Sequence, residues 1–300
     1  MRQYQKVYLE ITNRCNLHCS FCPGTSRAPR TMSPEEFVAL AQKLRPVTRH
    51  LYFHLMGEPL LHPALPELLQ TADALDFRVN ITTNGTLLPQ RSKLLAAAPA
   101  VRKVSISLHS QEASADRRWE GYLEHCIDFA RQAAVGGKII GLRLWNLERG
   151  QFDPDGQNAP VTERLRRAFP GEWVPVREGF RLAERIFLEY GERFTWPDWE
   201  QEAAGGQAFC YGLRDQFGVL CDGTVVPCCL DHDGDLALGN LFDQPLEEIL
   251  SSPRATAIYE GFSRRRAAED FCRRCGYARR FLRYGYQEIL CITTKTYIDF

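Results

Sequence analysis

Cys15-Asn16-Leu17-His18-Cys19-Ser20-Phe21-Cys22 gathers three thiols within eight residues. A lone Cys-x2-Cys arises readily by chance in a chain with 11 cysteines, but Cys-x3-Cys-x2-Cys does not. Three thiolates on a short loop suit a 4Fe-4S cluster, which normally takes four protein ligands, so one iron is left open to a substrate or cofactor. A structural zinc ion is the alternative, and it needs a fourth Cys or His at tetrahedral distance. His18 stands between the first two thiols and would have to fold back to serve.

The segments around this loop alternate between strand and helix. Residues 6–12 (KVYLEIT) are short, apolar and β-branched, and read as a strand that delivers the cysteine loop from its C-terminal end. Ser33-Pro34-Glu35-Glu36 then opens a helix to about Leu44, with Ser33 as N-cap, Pro34 at the first helical position and Glu36 completing a capping box. Strands are expected over residues 50–56, 77–84, 103–109 and 138–146, with helices over 64–75, 90–98 and 119–135. Gly136-Gly137 stops the last of these. Such alternation implies a parallel sheet with right-handed crossovers. The pattern fades after residue 150, whereas a complete eight-unit barrel needs about 250 residues. A polar loop at 151–160, a short helix at 162–169 and one strand at 181–190 complete the expected core. The fold class is therefore α/β, a partial barrel of six units.

The cysteine triplet, with Phe21 just before its last thiol and a strand just ahead of it, resembles the radical S-adenosylmethionine (SAM) superfamily. That resemblance implies a partial (β/α)6 barrel and a cluster held by Cys15, Cys19 and Cys22. Its open iron would chelate the amino and carboxylate groups of SAM, and the SAM would be cleaved to a 5'-deoxyadenosyl radical. An electron donor such as flavodoxin or ferredoxin is implied as a partner. Met56-Gly57-Glu58-Pro59 is similar to the family's Gly-Gly-Glu-Pro segment, whose backbone and carboxylate hold the methionine ammonium; Met56 departs from it. Gly57 permits close approach and Pro59 stops the strand, as they also would in an ordinary turn. Asn84 and Ser107, at two strand ends, fall where the family places polar contacts to SAM, although turn hydrogen bonding would also account for them. Arg143, inside the apolar run KIIGLRLW, could pair with the SAM carboxylate; buried, it needs a partner. Its other reading is a solvent-facing position.

A second cysteine set follows residue 205: Cys210, Cys228 after a Gly223-x4-Cys turn, and Cys272-Arg273-Arg274-Cys275. Residues 220–226 (LCDGTVV) read as a hairpin turning at Asp222-Gly223. The order of these features is similar to the SPASM extension of radical SAM enzymes, in its shortened one-cluster form called twitch, with a small cysteine-rich hairpin-plus-helix unit. Of the further cysteine tail only Cys291 remains. The resemblance implies a second, auxiliary 4Fe-4S cluster on Cys210, Cys228, Cys272 and Cys275; a zinc ribbon would also fit two thiol pairs. Cys221 and Cys229 are alternative ligands, and Cys126 belongs to the core. Asp231 and His232 could accept protons after an oxidation or simply cap a turn. Trp196 and Trp199 could line a substrate pocket, though packing is the commoner fate of such residues.

The expected division is a barrel over residues 1–200 and the auxiliary domain over 201–300. Zero net charge excludes a global electrostatic footprint for nucleic acid or an acidic membrane, and no signal or spanning segment is evident. With 11 cysteines this implies a reducing cytoplasm. The expected function is hydrogen abstraction from a small molecule with net oxidation. The alternatives are peptide or protein maturation, which the start of the chain at the first strand disfavours, and a non-catalytic iron-sulfur or zinc protein.

Overall fold

The computed structural model describes residues 2–111, 119, 121–148, 156–205, 207–278 and 281. The alternation expected from the sequence is present: β1 (Lys6–Leu9), α1 (Pro34–Leu44), β2 (His50–Tyr52), α2 (Leu65–Ala74), β3 (Arg78–Thr83), α3 (Leu88–Ala97), β4 (Val101–Ser107), α4 (Tyr122–Val135) and β5 (Ile139–Leu147). The start of α1 shows how locally this is encoded. The Ser33 hydroxyl accepts the Glu36 N–H at 3.2 Å, and the Glu36 carboxylate accepts the Ser33 N–H at 2.8 Å. Two otherwise orphaned donors are satisfied, an arrangement worth about 1 kcal/mol. The helix then buries Phe37, Leu40, Ala41 and Leu44.

After α5 (Ala159–Ala168) the chain departs from expectation. The single strand expected over residues 181–190 is a hairpin of β7 (Gly179–Ala183) and β8 (Ile186–Glu192), to which β6 (Val174–Val176) adds an edge. Its two-residue turn is Glu184-Arg185, with Arg185 at φ 62°. A left-handed turn residue is ordinarily Gly, Asn or Asp, so this turn carried no signal. The polar loop falls largely outside the described residues.

All eleven described strands form one open sheet, in the order β11-β10-β9-β1-β2-β3-β4-β5-β8-β7-β6. Here β9 is Gln216–Val219, β10 Thr224–Val226 and β11 Gly239–Asn240. From β9 through β1 to β5 and β8 every pairing is parallel; the pairings at both edges are antiparallel. The C-terminal hairpin therefore continues the barrel's own sheet, with Lys6 to Leu9 in register with Gln216 to Val219. Helices α6 (Leu246–Leu250), α7 (Pro253–Ser263) and α8 (Asp270–Arg273) follow it.

Strand periodicity separates two faces. Val7, Leu9, Leu51, Val79, Ile81, Val104 and Leu142 are buried in the main core. The alternate positions carry Tyr8, Tyr52, His54, Thr82 and Arg143, which meet on the inner face, where Tyr8 packs on Tyr52 and His54 with ring centroids 5.1 and 5.3 Å apart. The sheet thus curves around a polar lumen.

Candidate functional site

The cysteine loop leaves the C-terminal end of β1 and is tied to its base. Thr12 Oγ1 lies 2.9 Å from Thr31 Oγ1, Asn13 Nδ2 donates to the Ala28 carbonyl at 2.9 Å, and the Arg30 N–H donates to Asn13 Oδ1 at 2.7 Å. Within the loop the Cys22 N–H donates to the Cys19 carbonyl at 3.0 Å, so the Cys-x2-Cys segment is one tight turn. Cys15 and Cys22 are exposed and Cys19 is half-buried. Partial burial, with the neighbouring Glu58, Cys19 and Cys22, pushes the Cys15 thiol up to about 11. Three crowded thiols at strand ends, with one side open, form a donor set suited to a cluster that binds them as thiolates.

Gly57 makes the close approach anticipated for it, but toward protein backbone. A Cβ there would lie 2.4 Å from the Thr12 carbonyl oxygen and 2.9 Å from that of Arg14, and its φ is +76°. The Glu58 N–H donates to the Arg14 carbonyl at 2.8 Å, so the loop after β2 braces the cysteine loop. The Glu58 carboxylate is turned inward and buried. It accepts the Leu60 N–H at 2.9 Å, the Thr83 hydroxyl at 2.8 Å and the Asn84 N–H at 2.7 Å. Burial still pushes it up to about 7.

Asn84 is likewise engaged. Its Nδ2 donates to Asn16 Oδ1 at 2.9 Å and lies 4.0 Å from the Cys15 sulfur; its Oδ1 accepts from the Thr86 N–H and hydroxyl. Asn84 and Glu58 together form a scaffold linking the ends of β2 and β3 to the cysteine loop. Ser107 ends β4 in register with Arg143 on β5. The Arg143 guanidinium stacks on Trp145 at 3.5 Å from the ring centroid, donates to Thr82 Oγ1 at 3.5 Å, and leaves its buried Nε without a hydrogen bond. Burial and this cation push His54 down to about 3, so the imidazole is neutral. Phe21 is exposed and lies against His109, 4.9 Å between centroids.

The second set also comes together. Cys210, Cys228, Cys272 and Cys275 line one cavity with Asp231, Leu236, Phe262 and Phe271. Cys228 follows β10, and burial with the charges of Cys210, Cys229, Cys272 and Cys275 raises it well above the ordinary thiol range. Neither of the two alternative ligands lines this cavity. The Cys229 thiol is hydrogen-bonded to Tyr8 in the lumen, and Cys221 is buried beside Glu10 and Arg27. Cys126 is a core residue as expected, and Cys291 lies outside the described residues. Asp231 accepts the Asp235 N–H at 2.8 Å and the Leu236 N–H at 3.0 Å, so its carboxylate closes a turn beside the cavity. Trp196 Nε1 donates to the Phe21 carbonyl at 3.1 Å, a link to the cysteine loop that sequence alone could not show; Trp199 is exposed. Among the described residues no three His, Cys, Asp or Glu side chains converge on a single-ion site. A cube-shaped cluster, with its thiolates spread over several irons, requires a wider spacing than zinc.

Comparison with known proteins agrees with this geometry. Residues 9–127 match the model of the radical SAM superfamily and residues 210–276 that of the iron-sulfur cluster-binding SPASM domain. A probable GTP 3',8-cyclase of Methanothermobacter marburgensis is 31% identical over 87% of this chain and 93% of its own. PqqA peptide cyclase of Streptomyces rochei is 27% identical over 90% and 80%. The sporulation killing factor maturation protein SkfB of Bacillus subtilis is 26% identical over 82% of this chain, and the match spans 64% of its length. Among solved structures, BtrN in complex with AdoMet and 2-DOIA has a TM-score of 0.59 at 18% identity, covering 92% of this chain and 94% of its own. The chain belongs to the radical SAM superfamily and carries a C-terminal SPASM-type domain. Its cofactors are accordingly SAM, a SAM-binding 4Fe-4S cluster and an auxiliary cluster. No helix among the described residues is long and apolar enough to cross a membrane.

Proposed function

We propose that this radical SAM enzyme oxidises a small polar molecule bound in the barrel lumen, with Cys15, Cys19 and Cys22 holding the SAM-binding cluster and Cys210, Cys228, Cys272 and Cys275 holding the auxiliary one. Bound there, the two clusters and SAM would supply a 5'-deoxyadenosyl radical and an electron acceptor; a flavodoxin or ferredoxin is the proposed donor of the initiating electron. The observation that carries the oxidation is the four-thiol cavity. Four cysteines complete a cluster's ligand set and leave no iron for substrate, so electron transfer is the role that remains.

The chain's own residues would orient the substrate. Tyr8, Tyr52, His54 and Arg143 offer hydroxyl, imidazole and guanidinium groups to a hydroxylated or amino-bearing compound. Asp231 is spent on backbone donors and Glu58 on two backbone N–H groups and the Thr83 hydroxyl, so neutral His54 is proposed as a hydrogen-bond acceptor that orients a substrate hydroxyl. Its Nδ1 has no hydrogen-bond partner among the described residues. A peptide substrate is the second reading, favoured by the extended similarity to a peptide cyclase. The proposed compartment is the cytoplasm, since exposed thiols and iron-sulfur cofactors need reducing surroundings.

The test is 5'-deoxyadenosine formation from SAM by the reduced, reconstituted enzyme. Wild type and a Cys272→Ala variant should both form it, and a Cys15→Ala/Cys19→Ala/Cys22→Ala variant should not. Only wild type should accumulate an oxidised product when incubated with pools of small polyols, amino sugars or peptides. Turnover of the pools by the Cys272→Ala variant would remove the electron-transfer role, and turnover of the peptide pool alone would move the substrate class.

A further inference from the structure

The N-terminal ends of β2, β3, β4, β5 and β8 frame a second cavity, at the mouth of the sheet opposite the cysteine loop. It measures about 740 Å³, and its wall carries Arg49, Arg78, Arg102, Lys138, Arg181 and Arg185 against one carboxylate, Glu184. The chain as a whole has 37 basic and 37 acidic side chains, so this excess is a local concentration. Lys103 and Glu189, paired at 2.5 Å on the inner face, lie two residues beyond the lining residues Val101 and Phe187, between this cavity and the polar lumen.

The cations are incompletely compensated. Arg49 is paired with Asp76 at 2.6 Å, and Arg185 donates to the Gly137 carbonyl at 3.3 Å. Lys138 is a buried residue whose ammonium donates to the Ala98 carbonyl at 2.7 Å; partial desolvation and the neighbouring Arg78 cation both lower its pKa. Asp73 is the acid that offsets this. Arg78 and Arg181 are exposed and form no ion pair with any described residue. A partly desolvated ammonium beside like charges is stabilised by a counter-ion. Guanidinium forks match phosphate oxygens two at a time.

We propose that this lower cavity binds a small polyanion of the di- or triphosphate class, held by Arg78, Arg181 and Lys138 and separate from the SAM site. The volume lies within the range of small-molecule cavities, about 300–1,000 Å³. The size, too, suits a compact ligand better than a protein or nucleic-acid surface, which needs a footprint of about 800 Å². Cations spread over three strands, β3, β4 and β7, and the turns that lead into β2, β5 and β8 call for a ligand with charge along its length, as in a polyphosphate chain, rather than a lone phosphate.

Calorimetric titration of the reconstituted holoenzyme with inorganic triphosphate, ADP and ATP, in phosphate-free buffer at about 100 mM salt, tests this. Triphosphate should bind in the micromolar range and be undisturbed by saturating SAM. It should weaken roughly ten-fold or more in Arg78→Ala/Arg181→Ala and in Lys138→Met, a loss in keeping with charge-assisted hydrogen bonds. ATP binding more tightly than triphosphate would identify a nucleotide, and equal affinities an inorganic polyphosphate; either supports the site. Absence of binding up to millimolar concentration, displacement by SAM, or unchanged affinity in the double variant would overturn it. The double variant alters only exposed positions, so it decides the matter even if Lys138→Met fails to fold.

Discussion

Arg27 and Glu10 form a two-pronged buried ion pair, with Nη1 to Oε1 and Nη2 to Oε2 both at 2.8 Å. The Glu10 side chain is fully buried and that of Arg27 is 13% exposed. The same carboxylate accepts the N–H of Met56 at 3.1 Å and of Cys221 at 3.2 Å. One acid at the end of β1 therefore fastens together the cysteine loop, the loop after β2 and the C-terminal hairpin. Removing it strands a buried guanidinium and two backbone donors. Glu10→Ala is expected to lower stability by about 3–5 kcal/mol, read as a fall in the thermal midpoint of roughly 10 °C. Iron uptake at the Cys15 site should fall with it. An unchanged midpoint would show that the three segments are held by other contacts.

The two cysteine sets make separate predictions for iron. Reconstituted wild type should hold about eight irons and the Cys15/Cys19/Cys22→Ala variant about four, as two 4Fe-4S clusters require. Iron and sulfide analysis with Mössbauer spectra reads this out. If the variant holds no iron while wild type holds about four irons and one zinc, the C-terminal site is structural.

Cys228 and Cys229 are adjacent, but Cys228 lines the four-thiol cavity and Cys229 is bonded to Tyr8. Cys228→Ser should therefore lose most of the auxiliary iron, and Cys229→Ser should keep it. Equal losses would place Cys229 among the ligands.

How much of this was legible in the sequence depends on the range of the interaction concerned. The capping box at Ser33 and Glu36 and the strand-helix alternation are local, and the structure reproduces them within a few residues. The turn at Glu184-Arg185 was hidden because no glycine or asparagine marks it. Cys228 could not be told from Cys229, because which of two neighbours faces a cavity depends on the register of β10 against β9, a long-range pairing. The inward turn of Glu58 was hidden for the same reason: two of its three donors come from the distant residues 83 and 84. The second cavity was invisible because its cations are scattered from residue 49 to 185 and meet only when the strands align.

Glu58 gives stability a definite pH dependence. Its folded pKa of about 7 lies above the unfolded value of about 4.3, so the folded state holds a proton that the unfolded state has released. Stability is then greatest below the unfolded pKa and falls as pH rises from about 4.3 to about 7, by at most roughly 1.4 kcal/mol per pH unit. Asp231, raised to about 6 by burial, adds to the fall over the lower part of that range. Anaerobic unfolding followed from pH 5 to pH 8 should show this slope in wild type and a shallower one in Glu58→Gln. A slope unaffected by the substitution would mean that the three donors keep Glu58 ionised throughout.

Arg143 is the lumen group whose removal should tell binding apart from folding. Its guanidinium is stacked on Trp145 and bonded only weakly to Thr82, with Nε unpartnered, so N–H donors are available at the middle of β5. A carboxylate taken up there would gain charge-assisted bonds worth about 1.5–3 kcal/mol each. Arg143→Met keeps much of the aliphatic bulk and should raise the dissociation constant for SAM or substrate roughly ten-fold or more, while leaving both clusters intact by iron count. Arg143→Lys should restore little, since an ammonium reproduces neither the planar fork nor the stacking on Trp145. If SAM binding is unchanged and only substrate turnover falls, Arg143 belongs to the substrate pocket. If neither changes while the thermal midpoint drops, its role is packing within the lumen, and the anion-binding reading of this arginine is wrong.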